Sequence, residues 1–309
     1  MIYDLYEVAR QLQSDAPGAI FAWEQHYSDQ IAKVAELVAK NRALSPVVLL
    51  AGPSGSSKTT SGRRLRDLLI AQRIPAHLVS MDNYFLPWSA PGFPMTADGR
   101  RDLEAPGCLD LALLNEHFAM LEQGKPIDIP IYRFATHSRL KGRSIHLEIA
   151  PGDVFIFEGI HALNEIFTQQ HPLACRIYVS PVSVFGVGSE VLCTSQQLRL
   201  MRRIVRDHQF RGVTAEYTLQ LWENVLTSEK IYIEPHLMQA HRAVDSTLGY
   251  ELQALQSYIV PLLRDLPETI PSYDKVQEAL RGLSRITPLD SRMVPADSIL
   301  REFIGTMPL

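Results

Sequence analysis

Chemistry is concentrated first in Gly52-Pro53-Ser54-Gly55-Ser56-Ser57-Lys58-Thr59. The run follows the apolar segment Val47-Val48-Leu49-Leu50 and opens an amphipathic stretch, so it reads as a turn between a strand and a helix. Successive amides of such a turn can converge on phosphate oxygens, and the start of the helix adds partial positive charge. In that setting Lys58 reaches the β- and γ-phosphates and the Thr59 hydroxyl ligates Mg²⁺, so ATP and Mg²⁺ are the expected ligands. The expected cofactor-binding set runs from Gly52 through Thr60. Ser57 stands where the motif ordinarily carries a second glycine. The loop is expected to close with Ser57 at a helical φ and with Gly55 compensating. The plainer alternative is a Ser/Gly turn that binds nothing.

Two acids could complete such a site. A second candidate strand, 76–81, ends in Asp82, and a third, 154–157, ends in Glu158. The carboxyl ends of strands line the ligand crevice of an open parallel sheet, which would place both acids near a terminal phosphate. Asp82 could take a proton from an attacking hydroxyl, hold Mg²⁺, or merely cap a helix. Glu158, at the end of an apolar run, suits a metal site, because one magnesium needs oxygen ligands from more than one strand end.

Cations and aromatics supply the rest. Arg199, Arg202, Arg203, Arg206 and Arg211 fall on neighbouring helical turns, with Gly212 as a hinge. Such a run is usually a solvated face. The arginine fork, however, also suits phosphate oxygens, and few acids nearby (Asp207, Glu216) offer compensation. His137, with Tyr132 and Phe134, sits at the tip of a predicted hairpin over 127–149, centred on Lys141-Gly142-Arg143. A lone histidine is commonly a surface residue, but between two aromatic rings it could contact the edge of a base. His161, His236 and His241 lack metal-ligand spacing and read as structural.

The elements that must position these residues follow from periodicity. Short β-branched runs at 47–50, 76–81, 154–157 and 175–179 alternate with helical patterns at 59–73, 109–122, 198–206 and 250–266. That order predicts an α/β fold with a parallel sheet covered on both faces. Residues 1–44 read as a helical extension interrupted at Pro17-Gly18, suited to packing or dimerisation. Residues 45–268 read as the main domain and 269–309 as an irregular, proline-rich tail. The 309 residues carry 30 Lys plus Arg against 34 Asp plus Glu, a net charge of −4 that opposes duplex nucleic-acid binding. Three scattered cysteines give no disulfide framework or zinc knuckle. The acidic start is unlike a signal peptide, and no apolar run approaches the ~18 residues of a span, so a cytoplasmic location is expected and no membrane partner.

The motifs GPSGSSKTT, VSMDNYF, IYRFATHSR, FEGIHALN and RRIVRDHQFRG, in that order, resemble the phosphoribulokinase and uridine kinase group of P-loop kinases. The likeness runs from about Pro46 to Leu263 and is nearest to uridine kinase-like nucleoside kinases. It implies a P-loop NTPase fold with a small β-hairpin and an arginine-rich lid, and an ATP-dependent kinase acting on the 5′-hydroxyl of a nucleoside, uridine or cytidine by preference. Asp82 then matches the catalytic base, and Thr59, Asp82 and Glu158 the magnesium site. Lys58, Arg206 and Arg211 match catalytic cations, and Arg203 a nucleotide contact. The implied acceptor-binding set is Tyr84, Phe85, Glu104, Tyr132, Phe134, His137 and Arg139. The resemblance also allows a homo-oligomer.

Departures from the family pattern include Ser57, Leu103-Glu104-Ala105-Pro106 for Phe-Asp-His-Pro, Val213 for a lid arginine, and Phe85 for a tyrosine. Two other functions stay open. One is a kinase of another small hydroxyl compound such as a sugar phosphate, whose own phosphate Arg100, Arg101, Arg133 and Arg139 could meet. The other is a nucleotide-binding regulatory module without catalysis. If the loop holds a triphosphate, Lys58→Ala removes the cation on the β/γ oxygens. The expected outcome is a collapse of kcat in a phosphoryl-transfer assay; undiminished turnover would leave the loop without its assigned role.

Overall fold

A computed structural model describes residues 1–96, 99–264, 266–270 and 273–306. In chain order the first elements are β1 (Ile2–Asp4), α1 (Leu5–Asn41), β2 (Val47–Ala51), α2 (Lys58–Ala71) and β3 (Ala76–Ser80). Next come α3 (Leu111–Glu122), β4 (Ile127–Arg133), β5 (Ser138–Leu147), β6 (Val154–Glu158), α4 (Glu165–Thr168) and β7 (Cys175–Ser180). The remainder are β8 (Val184–Val187), β9 (Glu190–Cys193), α5 (Ser195–Arg211), α6 (Ala215–Tyr232), β10 (Arg242–Asp245), α7 (Glu251–Arg264), α8 (Tyr273–Leu283) and α9 (Arg301–Ile304).

Every residue of β2 and β6 is buried, as the unbroken apolar runs require of strands covered on both faces. They belong to a five-stranded, all-parallel sheet in the order β10-β7-β2-β6-β3. Side chains alternate between two cores. Val48, Leu50, Ile156 and Ile177 pack toward α1, α2, α5 and α7, whereas Val47, Leu49, Phe155 and Phe157 pack toward α3 and the hairpin. Four of the five strands were predicted. The fifth, β10, has only Ala243 and Val244 as apolar residues, too weak a pattern to register. Among the described residues no helix is long and apolar enough to cross a membrane.

Three expectations change. First, α1, read from sequence as an extension for packing or dimerisation, is part of the main core: Tyr27, Ile31, Val34 and Val38 are buried there, and the Tyr27 hydroxyl lies 2.6 Å from Ser61 Oγ on α2. The expected interruption is a kink at Asp15 (φ −155°, ψ 83°) ahead of Pro17, with the Asp15 carboxylate taking the Gly18 amide. Second, the hairpin β4–β5 turns at residues 134–137, not at 141–143, which lie inside β5; a register shift between Pro130 and Tyr132 accommodates the difference. Third, the stretch 269–309 is not irregular. It holds α8 and α9 and buries Ile299, Leu300, Phe303 and Ile304 in the main core. Residues 271–272 and 307–309 of that stretch, and residue 265 of the predicted helix over 250–266, lie outside the described residues.

If α1 belongs to the core, Ile31→Ala must cost about 3 kcal/mol, the scale of a buried Ile truncation. Chemical denaturation measures this, and a negligible loss would make α1 an appendage.

Candidate active site

The loop between β2 and α2 closes against the sheet. A Cβ on Gly52 would fall 2.1 Å from the Val179 carbonyl oxygen, so only glycine fits there. Ser57 does not take the expected helical φ. It is left-handed (φ 66°, ψ 30°), a backbone region that favours glycine, at a cost of order 1–2 kcal/mol for a residue with a Cβ. The strain is held from two sides. The Ser57 carbonyl accepts the Ser61 amide and hydroxyl (2.9 and 2.7 Å), while Arg202 Nη1 donates to the Gly55 carbonyl (3.1 Å) and Ser57 Oγ (3.4 Å). Lys58 Nζ donates to the Pro53 carbonyl at 3.2 Å. Ser56 Oγ is buried and has no partner among the described residues, an orphan donor inside the turn that a phosphate oxygen would satisfy.

Strand order brings the acids to this loop, because the carboxyl ends of β2, β6 and β3 lie side by side. Thr59 Oγ1 donates to Glu158 Oε1 at 3.3 Å. Asp82 lies on the 3₁₀ turn Met81–Tyr84 that follows β3. Its side chain is open to the cleft yet walled by protein, and this desolvation raises its carboxyl pKa against the opposing pull of Lys58, Arg211 and Arg206. Glu158 is also raised, chiefly by burial and then by the charge of Asp82. Among the described residues no group of three or more His, Cys, Asp and Glu could hold a metal. Thr59, Asp82 and Glu158 are nonetheless hard oxygen donors that suit Mg²⁺, provided phosphate oxygens and water complete its shell.

The arginines divide by face. Arg199 and Arg202 are buried: Arg199 pairs with Glu229 of α6 (2.8 and 2.6 Å), and Arg202 pairs with Glu251 of α7. Both are structural. Arg203, Arg206 and Arg211 gather around buried Asp207, at 3.4, 2.8 and 3.3 Å. Arg203 also donates to Ser54 Oγ at 3.2 Å, which ties this face to the phosphate loop. Asp207, read from sequence as a minor counter-charge, is the hub that orients all three. Its position four residues from both Arg203 and Arg211 was the available signal.

On the acceptor side, burial raises the pKa of Glu104, opposed by the charge of Arg203. Phe85, Tyr132 and Phe134 form an aromatic cluster with ring centroids 5.1–5.4 Å apart, and the Tyr132 hydroxyl has no partner among the described residues. His137, at φ 46°, stacks 3.4 Å from the Trp88 ring, a partner the sequence did not suggest. Two expected contacts fail. Tyr84 is fully buried, its hydroxyl 2.7 Å from His117 Nδ1, because a 3₁₀ turn eclipses positions 81 and 84 and turns both into the core. Arg139 spends its donors on the carbonyls of Phe85 (3.0 Å) and Tyr84 (2.8 Å) and on Asp110 (2.9 Å), pinning the hairpin to the domain. Neither side chain is free to bind an acceptor.

Sheet, phosphate loop, paired acids and arginine face together define a phosphotransferase with an alcohol group as acceptor. The model of the Phosphoribulokinase / Uridine kinase family matches residues 47–248, and the chain belongs to that family. A uridine kinase of Deinococcus deserti is 30% identical over 192 residues, which is 61% of this chain and 82% of that protein. A uridine kinase of Staphylococcus epidermidis is 30% identical over 190 residues, with the same two shares of 61% and 82%. Among solved structures, D-glycerate 3-kinase from Cryptococcus neoformans aligns at 18% identity with a TM-score of 0.46, covering 65% of this chain and 88% of its own.

A raised carboxyl pKa in the folded state means that the fold binds that proton more tightly than the unfolded chain, whose glutamates titrate near 4.3. The destabilisation therefore develops as pH rises from about 4 through the folded pKa. Glu158→Gln should raise the metal-free melting temperature at pH 7, and the advantage should vanish toward pH 4. Thermal scans at the two pH values check this; a lower midpoint at pH 7 contradicts it.

Proposed function

We propose that the protein transfers the γ-phosphoryl group of ATP to the 5′-hydroxyl of a nucleoside, uridine or cytidine. The observation that carries this reading is Asp82 standing at the end of β3 among the charges of Lys58, Arg206 and Arg211. An acid there can take the proton of an attacking alcohol, while the three cations offset charge on the phosphoryl group in flight. Lys58, the backbone N–H groups of residues 54–60 (Pro53 has none), and Arg203 beside Ser54 would bind the triphosphate. Mg²⁺, held by Thr59, Asp82 and Glu158, would neutralise the phosphate oxygens.

In the aromatic cluster Phe134 is the exposed ring on which a base could stack, with Phe85 and Tyr132 buried behind it. Glu104, beside the Arg203 and Lys58 charges, is placed to accept sugar hydroxyls. His137, braced by Trp88, would meet the base edge rather than its face. Of the four arginines that a sugar-phosphate acceptor could use, Arg139 is engaged within the protein. The nucleoside reading accords with relatives that are named uridine kinases.

Asp82→Asn should leave ATP affinity nearly intact and cut turnover of uridine by at least ~10²-fold. Titration calorimetry and a steady-state assay measure the two. Unchanged turnover would strip Asp82 of its role, and turnover of ribulose 5-phosphate but not uridine would end the nucleoside reading.

A further inference from the structure

The C-terminal segment, which lies beyond the family match of residues 47–248, reaches the phosphate loop. Glu302 of α9 accepts the Thr60 hydroxyl at 2.5 Å, across 242 positions of sequence. Thr60 is the third residue of α2, in the first turn that leads out of the loop. The Glu302 carboxylate is also near enough to the site for its charge to bear on Glu158 and on Tyr27. The Glu302 carboxylate thus sits at the first turn of α2, where the helix dipole favours an anion.

We propose that Glu302 is an affinity-setting residue of the nucleotide site, a carboxylate seated where a phosphate oxygen of the incoming nucleotide must go. The inference rests on the reading of residues 52–60 as a triphosphate cradle. The physics is competition between anions. The first-turn amides and hydroxyl of α2 attract a carboxylate and a phosphate for the same reason, and the two repel each other. The segment itself cannot drift away. Phe303 packs 5.1 Å below the Arg202 guanidinium, and Ile299, Leu300 and Ile304 are buried in the main core. Arg301 braces the same turn by donating to the carbonyls of Ser291 and Gly305, both at 3.1 Å. Nucleotide entry therefore needs only the Glu302 side chain to swing, at the cost of its bond to Thr60. The chain outside the family match thereby sets how much nucleotide is needed to fill the site.

The test is titration calorimetry of full-length Glu302→Gln with ATP, ADP and adenosine. Removing the charge while keeping the shape should tighten ATP and ADP by about tenfold and leave adenosine, which has no phosphate, unchanged. Unchanged or weaker ATP binding would overturn the proposal, the latter by making Glu302 a nucleotide ligand. Equal tightening of adenosine would overturn it too, because the effect would then not concern phosphate. Lys58→Ala serves as the control. If that variant binds ATP as the parent does, the phosphate cradle itself is wrong, whatever Glu302→Gln does.

Discussion

A single fully buried guanidinium holds the phosphate loop in shape. Arg202 spends its donors on Glu251, on the hydroxyl and carbonyl of Ser246, on the Gly55 carbonyl and on Ser57 Oγ. A buried charge is tolerated only when paired and hydrogen-bonded, and losing one partner of such a pair costs about 3–5 kcal/mol. Every group Arg202 touches is therefore fixed relative to the others: the loop, the end of β10 and the start of α7. The left-handed Ser57 is sustained by this network rather than by intrinsic preference. The pair contributes geometry more than net stability.

The same logic separates two kinds of arginine on α5. Arg199 and Arg202 face inward and are neutralised by Glu229 and Glu251, which tether the helix to α6 and α7. Arg203, Arg206 and Arg211 face the cleft and share one carboxylate, Asp207. Three cations on one acid leave positive charge to spare, which suits a surface awaiting an anion. The helix called a lid is thus anchored along one face. Arg211, beside the αL cap at Gly212, is the most solvent-exposed of the three.

The acids show the complementary economy. Asp82 and Glu158 are held close in a desolvated cleft, where their carboxyl pKa values rise. Such an arrangement weakens the fold at neutral pH, and it is kept where chemistry needs a base and a metal site together. Glu302 adds a third negative charge from the far end of the chain, next to where phosphates would bind.

The sequence by itself determined the parallel sheet, the phosphate loop and the acids at the ends of β3 and β6. Those signals are local: apolar runs, glycine spacing and an acid directly after a strand. The directions of Tyr84 and Arg139 are not legible in the sequence, because a motif names residue types and not directions. Eclipsing within a 3₁₀ turn sent Tyr84 inward, and the carbonyls of residues 84 and 85 captured Arg139. Tertiary structure alone decided which arginines became structural, that His137 leans on Trp88, and that α1 and the last helix complete the core and reach the site. Those contacts join residues up to 242 positions apart, and no local periodicity encodes a partner at that distance.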